Sequence, residues 1–174
     1  LRHDGPFVQV NCAAIPDGLI ESELFGHIRG AFTDAKESRK GKFAQANGGT
    51  IFLDEIGEMP GPMQVGLLRF LDRNEYRPVG STRTLRADVR IICATNRDVQ
   101  ELVLQGRFRD DLLYRINTVT LRVPPLRERQ DDLPALVDHI LSSLRMPGAA
   151  TRSLTPEGLQ SLMTYHWPGN VREL

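Results

Sequence analysis

At 174 residues, 40% of them hydrophobic and 25% charged, the chain has room for one domain of ordinary size or one with a small appendage. Its 22 basic and 22 acidic residues cancel, so no long-range pull toward nucleic acid is implied and a basic DNA-binding face is not supported. No run is long and apolar enough to span a bilayer, no signal-peptide pattern appears, and no membrane partner is expected. Cys12 and Cys93 lie in apolar, strand-like runs with no CxxC and no Cys/His cluster. They read as buried free thiols rather than a disulfide framework or a zinc site, and a reducing, cytoplasmic setting is expected.

In chain order, Pro6-Phe7-Val8-Gln9-Val10 alternates and predicts a strand leading to Asn11-Cys12. Residues 16–25 predict a helix, with Pro16 in its first turn and Gly26 as its stop. A glycine-punctuated loop follows through Ala35, then a short helical turn over residues 42–46. Gly48-Gly49-Thr50-Ile51-Phe52-Leu53-Asp54-Glu55 reads as a buried parallel strand closed by two carboxylates. Residues 60–73 predict an amphipathic helix with Met63, Leu67, Leu68 and Leu71 on one side. Gly66 inside it costs about 1 kcal/mol relative to alanine.

Residues 74–86 are polar and predict a loop or ribbon, and residues 88–94 a buried strand ending in Thr95-Asn96. Helices are expected at 99–105 and 108–115, and a final strand at 119–123 before Pro124-Pro125. Beyond Asp131 the pattern turns helical: one helix to about Leu144, a break at Met146-Pro147-Gly148, and a second helix from Pro156 capped by Thr155. Alternating strands and helices predict an α/β fold with a parallel sheet covered on both faces. A division near residue 128 then separates a core (1–128) from a small helical subdomain (129–174). Asn170-Val171-Arg172-Glu173-Leu174 reads as the first turn of a helix that is cut, so the chain is expected to be a fragment.

Ligands of open α/β sheets bind beyond the carboxyl ends of the strands, where Asp54 and Glu55 fall. Two such carboxylates can divide labour, one holding Mg²⁺ through water and the other orienting an attacking water, as in the Walker B half of a nucleotide-hydrolysing site. Two solvated acids closing a strand remain an alternative on these residues alone. Asn96 ends a second strand in the same way; its amide suits a terminal phosphate, and equally an Asx turn. No G-x-x-x-x-G-K-[ST] occurs, so no loop of backbone N–H groups to cradle phosphates lies within the chain.

Arg109 and Arg115 are six residues apart, about 240° around a helix, and cannot face one ligand together. Each is a candidate arginine finger acting in trans, or a surface ion-pair partner of an acid such as Asp110 or Asp111. Trp167-Pro168-Gly169-Asn170 predicts a turn, with Asn170 as N-cap and Glu173 completing a capping-box pair. Arg172 would then lie at a helix N-terminus, as a phosphate sensor or a solvated arginine. Phe32 sits between small residues of a loop (Gly30, Ala31, Phe32, Thr33, Asp34, Ala35), where a Phe usually tucks into the core and an exposed one would mark a partner contact.

From Pro6 to the end, these blocks resemble in order the signatures of the central ATPase domain of bacterial sigma-54-dependent transcriptional activators, of the AAA+ class. The blocks are residues 7–14, 21–27, 48–55, Ala94-Thr95-Asn96, 108–115, Pro124-Pro125-Leu126-Arg127-Glu128-Arg129 and 167–174. The resemblance implies ATP and Mg²⁺ as cofactors, with Asp54 coordinating Mg²⁺ and Glu55 activating water. It implies Asn11 as a switch holding Glu55 back until the partner is engaged, Asn96 as sensor I, and Arg172 as sensor II in the helical lid. Arg109 and Arg115 would act on the neighbouring subunit's site, so the active form would be a homo-oligomeric ring, typically a hexamer. Residues 30–35 would contact sigma-54 RNA polymerase, supported by a second loop around Arg77-Pro78-Val79-Gly80. DNA would be bound only through a separate C-terminal domain that this chain does not reach. The alternative, from a different class, is a homologue that assembles as a regulatory binding module without hydrolysing ATP.

Two departures matter. The family's loop reads Gly-Ala-Phe-Thr-Gly-Ala, and here Asp34 replaces the second glycine. Glycine takes φ > 0 freely, whereas aspartate does so at a cost and adds a charge; with Phe32 and Thr33 intact, weakened or altered sigma-54 engagement is expected rather than loss. The second departure is the Walker A segment, which in the family precedes this point together with a strand inside the sheet. Residues 1–174 alone are therefore expected to fold poorly and not to turn over ATP.

Overall fold

Pro6 sets an extended entry, and the first strand, β1 (Phe7–Asn11), forms where the alternation predicts it. The computed structural model describes residues 2–144 and 154–174, so the break expected at Met146, Pro147 and Gly148 lies outside them. β1 stops because the Asn11 side chain turns back, accepting the N–H groups of Ala13 (2.9 Å) and Ala14 (3.1 Å). Helix α1 (Asp17–Phe25) follows and ends at Gly26, whose φ of 83° and ψ of 177° fall in a region essentially restricted to glycine. That bend lets β2 (Gly26–His27) pair antiparallel with β3 (Arg39–Lys40). A Cβ on Gly26 would meet the Arg39 carbonyl oxygen at 2.4 Å.

The short helix α2 (Lys42–Gln45) carries Phe43 into the core and leads to β4 (Thr50–Asp54). Helix α3 (Gly61–Arg73) buries Met63, Gln64, Leu67 and Phe70, with Leu68 and Leu71 packed beside them. Gly66 is where Phe25 presses against this helix: a Cβ there would lie 2.7 Å from the Phe25 ring. The polar stretch after α3 is a ribbon of two short strands, β5 (Glu75–Tyr76) and β6 (Leu85–Arg86), and β7 (Arg90–Cys93) follows. Helices α4 (Val99–Leu104), capped by Asp98, and α5 (Asp110–Ile116) come next.

β4 is the centre of a parallel sheet of order β1-β4-β7. Register places Asn11 opposite Asp54, and Leu53 opposite Cys93, so the strands reach their carboxyl ends side by side. Ile51 and Leu53 are fully buried. Beneath them Phe25, Phe43, Phe70 and Tyr76 form one aromatic cluster, with ring centroids of Phe43 and Phe70 4.2 Å apart.

The strand expected at residues 119–123 does not form. Val119, Leu121 and Val123 are 79%, 86% and 77% exposed. Apolar alternation prepares a run for a sheet but supplies no neighbouring edge, and among the described residues no strand forms a ladder with this run. The outer edge of β7 is likewise unpaired among the described residues, with Ile92 partly exposed.

The chain divides into two compact units, Leu1–Val119 and Thr120–Leu174, where the sequence suggested a change near residue 128. The second unit holds α6 (Leu133–Ser143) and α7 (Pro156–Thr164) around Leu126, Leu133, Val137 and Trp167. Thr155 caps α7 as expected, its hydroxyl accepting the Gly158 N–H at 3.1 Å. Asn170 does not cap a helix. It takes φ 54° and its Oδ1 accepts the Leu126 N–H at 2.8 Å, a long-range bond that local pattern cannot reveal. Only the Glu173 half of the expected pair forms, accepting the Gly169 N–H at 2.8 Å. The segment Asn170–Arg172 is a 3₁₀ turn.

Candidate functional site at the carboxyl ends of the strands

Asp54 is the last residue of β4, half-buried, and its Oδ1 accepts the N–H of Glu55 at 3.0 Å. Glu55 takes φ 53° and ψ 44°, a left-handed conformation that costs a residue with a Cβ about 1–2 kcal/mol. What holds it there is the next residue. Ile56 is buried, and its N–H donates to the Ala94 carbonyl oxygen at 3.0 Å, tying the ends of β4 and β7 together. Such strain collects at functional positions. Among the described residues neither carboxylate has an ion-pair partner. Burial, then Asp54, then Glu55 push the Cys12 thiol up to about 11, so both carboxylates act on the end of β1.

β7 runs on through Thr95 to Asn96, which is exposed at the same end of the sheet. Thr95 Oγ1 accepts the Arg97 N–H at 3.1 Å, and the Arg97 guanidinium pairs with Glu58, just past Glu55. Nothing in the local sequence signals this second tie between the strand ends. Asn11 lies opposite Asp54 in register, but its carboxamide oxygen is occupied by the Ala13 and Ala14 amides and does not bond Glu55. Asn11, Asp54, Glu55 and Asn96 thus share one edge.

The two arginines have separate partners, and Arg109, expected on the helix with Arg115, precedes it. Arg109 precedes α5 and grips Asp111 with two bonds, Nε to Oδ1 at 2.9 Å and Nη2 to Oδ2 at 2.7 Å. This pairing raises the Arg109 pKa and holds the Asp111 carboxyl below its usual range. Arg115, in the last turn of α5, reaches Asp72 at 3.3 Å and the Leu71 carbonyl at 3.3 Å. Arg172 lies in the second unit, exposed and without an ion-pair partner among the described residues. Its expected place at a helix N-terminus is corrected to the end of a 3₁₀ turn, because Asn170 is drawn to Leu126.

Sequence reasoning also missed Gln64, the one polar or charged side chain among the described residues that is buried. Its position one residue after Met63 and three before Leu67, on the apolar stripe of α3, was the available signal.

The loop of residues 30–35 closes on itself, the Gly30 N–H donating to the Ala35 carbonyl at 2.8 Å. Gly30 takes φ 79°; Asp34 does not take a positive φ, so the backbone strain expected at that substitution is absent. Phe32 is 37% exposed and meets the His27 ring edge-on, centroids 5.0 Å apart. His27 Nδ1 is in turn 2.7 Å from the Ser22 hydroxyl. The segment around Val79 is hydrogen-bonded to the base of this loop: Val79 N–H to Gly26 O at 2.8 Å, and Ile28 N–H to Val79 O at 3.1 Å. A Cβ on Gly80 would lie 2.8 Å from Ala31 Cβ. Below them, Phe25, His27, Lys40, Tyr76, Pro78 and Leu85 line a cavity of about 300 Å³.

The sequence model of the family described as "Sigma-54 interaction domain" matches residues 1–122, and that of the "AAA+ ATPase lid domain" matches residues 127–174. The chain is 54% identical to the DNA-binding transcriptional regulator NtrC of Bradyrhizobium sp. over 99% of its length and 36% of that protein. It is 52% identical to the Nif-specific regulatory protein of Herbaspirillum seropedicae, covering 99% of the chain and 32% of that protein. It therefore spans about a third of the length of the curated relatives it matches. Crystal structures of NtrX from Brucella abortus in complex with ADP and with ATP each superpose with a TM-score of 0.89 at 35% identity, covering 99% of this chain and 37% of that one. No described helix is long and apolar enough to cross a membrane. With its parallel sheet, flanking helices and matched lid, the chain belongs to the sigma-54 interaction domain family, as an AAA+ domain of the kind found in NtrC- and Nif-type regulators.

Proposed function

We propose that this domain, in the protein it belongs to, hydrolyses ATP within a homo-oligomeric ring, typically a hexamer, and uses the hydrolysis to remodel sigma-54 RNA polymerase at closed promoter complexes. The observation that carries the reading is the pair Asp54 and Glu55 at the end of the central strand, free of ion pairs among the described residues and beside Asn96. Carboxylates without an ion-pair partner are available for a cation and for water. Among the described residues no three His, Cys, Asp or Glu side chains converge to hold a metal by themselves. That donor set fits Mg²⁺, which is held by one or two carboxylates plus substrate phosphates and waters, and not a cation needing a protein cage.

In this reading Asp54 would hold Mg²⁺ through water, and the ion, when bound, would supply charge neutralisation on the phosphates. Glu55 orients the attacking water and takes its proton. Asn96 donates its amide toward the terminal phosphate, and Arg172 contributes its charge from the lid. Arg109 and Arg115 serve the neighbouring subunit's site, where an arginine finger stabilises charge on the transferring phosphoryl group. Asn11, opposite Asp54 in register, would hold Glu55 back once its carboxamide leaves the Ala13 and Ala14 amides. The phosphate cradle would come from a Walker A segment upstream of Leu1, whose strand would pair with the open edge of β7. Residues 30–35 would meet sigma-54, with residues 77–80 in support; DNA would be bound only by a separate C-terminal domain.

The test is ATP turnover and open-complex formation by the full-length protein and its Glu55→Gln variant. Turnover abolished by the variant, with nucleotide binding retained, is expected. A wild-type protein that assembles and binds sigma-54 RNA polymerase yet turns over no ATP would favour the regulatory binding module instead.

A further inference from the structure

We propose that Gln64 is a positioning residue for Arg109, holding the segment that presents this arginine to a neighbouring subunit at a set height on α3. The inference rests on the trans-acting role proposed for Arg109 and assigns what keeps that residue in place.

Gln64 is 1% exposed, and its amide is fully used. Nε2 donates to the Met59 carbonyl at 2.8 Å and to the Arg107 carbonyl at 3.0 Å, while Oε1 accepts the Arg109 N–H at 2.8 Å. Two of the three bonds therefore go to the backbone on either side of Phe108, itself buried. Only a carboxamide of this length offers two donors and an acceptor to those three groups at once. The position needs such a clamp. Arg109 stands at the start of α5 with no side-chain cap; its carbonyl accepts the Leu113 N–H at 3.1 Å, but with an extended backbone (φ −80°, ψ 133°) its own N–H has no helical acceptor and goes to Gln64. Phe108 and Leu112 set the depth of the segment in the core; Gln64 sets its register along α3. The Arg109 side chain stays half-exposed and reaches out to Asp111. Arg115 receives nothing from Gln64 and leans on Asp72 instead, so the two arginines are held by independent devices.

The third bond, to Met59, reaches back toward Glu55 through the turn that follows β4. Gln64 thus has two possible clients: Arg109, which works on a neighbour's site, or Glu55, which works on its own. Mixed rings separate them. In the full-length protein, Gln64→Met removes all three bonds at similar volume. Its kcat is expected to fall by about tenfold to hundredfold with KM for ATP little changed, since misplacing a catalytic group by about 1 Å costs on that order.

Mixing Glu55→Gln subunits, which keep their fingers, with Arg109→Ala subunits, which keep their sites, should restore turnover. If Gln64 serves Arg109, Gln64→Met rings regain turnover when mixed with Glu55→Gln subunits and gain nothing from Arg109→Ala subunits. Rescue by Arg109→Ala subunits, or by neither, overturns the assignment while leaving the proposed function intact. Failure of the Glu55→Gln and Arg109→Ala mixture would instead remove the trans-acting role itself, and this inference with it. Gln64→Asn, which keeps the carboxamide on a stem one methylene shorter, should lose less turnover and be rescued in the same direction; if Gln64→Met does not fold, the same pairings made with Gln64→Asn decide the question.

Discussion

Asp34 stands where the family's loop has glycine, and the structure separates the two ways in which that difference can act. A glycine kept for a left-handed backbone would make any other residue cost about 1–2 kcal/mol. Asp34 does not take a positive φ, so in this conformation that cost is not incurred and what remains is one exposed negative charge. A unit charge about 4 Å from an opposite or like charge in water is worth about 1 kcal/mol, which is about fivefold in Kd. Binding of the full-length protein to sigma-54 RNA polymerase should therefore be compared for wild type, Asp34→Asn and Asp34→Gly at two salt concentrations. Asn removes the charge alone; Gly removes the charge and frees the backbone. Both variants are expected to shift Kd in the same direction by up to about fivefold and to approach wild type at high salt, where exposed charges are screened. A Gly variant differing from the Asn variant by more than about tenfold, or a salt-independent shift, would show that engagement demands a positive φ at residue 34, and would refute the reasoning.

Glu55→Gly should be more stable than Glu55→Ala by about 1 kcal/mol in the denaturant midpoint of the full-length protein, because alanine keeps the left-handed cost at φ 53° and glycine does not; both should lose turnover. Burial, aided by Asp54 and Glu55, pushes Cys12 from 9.0 up to about 11, and burial with Cys12 nearby pushes Cys93 up to about 12. Folded thiols that stay protonated while unfolded ones ionise contribute stability that is complete below about pH 9 and is lost as pH rises toward 11 to 12, so unfolding midpoints should fall above pH 9 and fall less in a Cys12→Ala, Cys93→Ala double variant. Phe43→Ala empties the centre of the aromatic cluster and should cost about 3–5 kcal/mol by denaturant titration; a loss under about 1 kcal/mol would mean the cluster is not tightly packed.

Apolar blocks bounded by proline or glycine carried most of the architecture: β4 between Gly49 and the acids, α1 between Pro16 and Gly26, α3 along its Met63 and Leu67 stripe. Their burial is set by their own residue order. Residues 119–123 have the same local pattern and form no strand, because pairing belongs to the neighbour as much as to the run. Asn170 is a good N-cap in isolation, yet a backbone amide 44 residues away at Leu126 takes its side chain. The position of the acidic pair at the carboxyl end of a buried strand was legible from its place after an apolar run. The left-handed turn at Glu55 was not, since it depends on the bond from Ile56 to Ala94 on another strand. Gln64 escaped notice for the opposite reason: a polar residue on an apolar stripe looks like an interruption until its three backbone partners are seen.

The meeting of Ala31 with Gly80 bears on how such proteins diverge. The missing side chain at residue 80 leaves only enough space for the methyl group at residue 31, and the strand Gly26–His27 joins both segments. A larger residue at either position displaces the other. Across descendants of a common ancestor, the two loops should accordingly drift as a correlated pair, with changes at 31 and 80 inherited together, even where the rest of each loop varies freely.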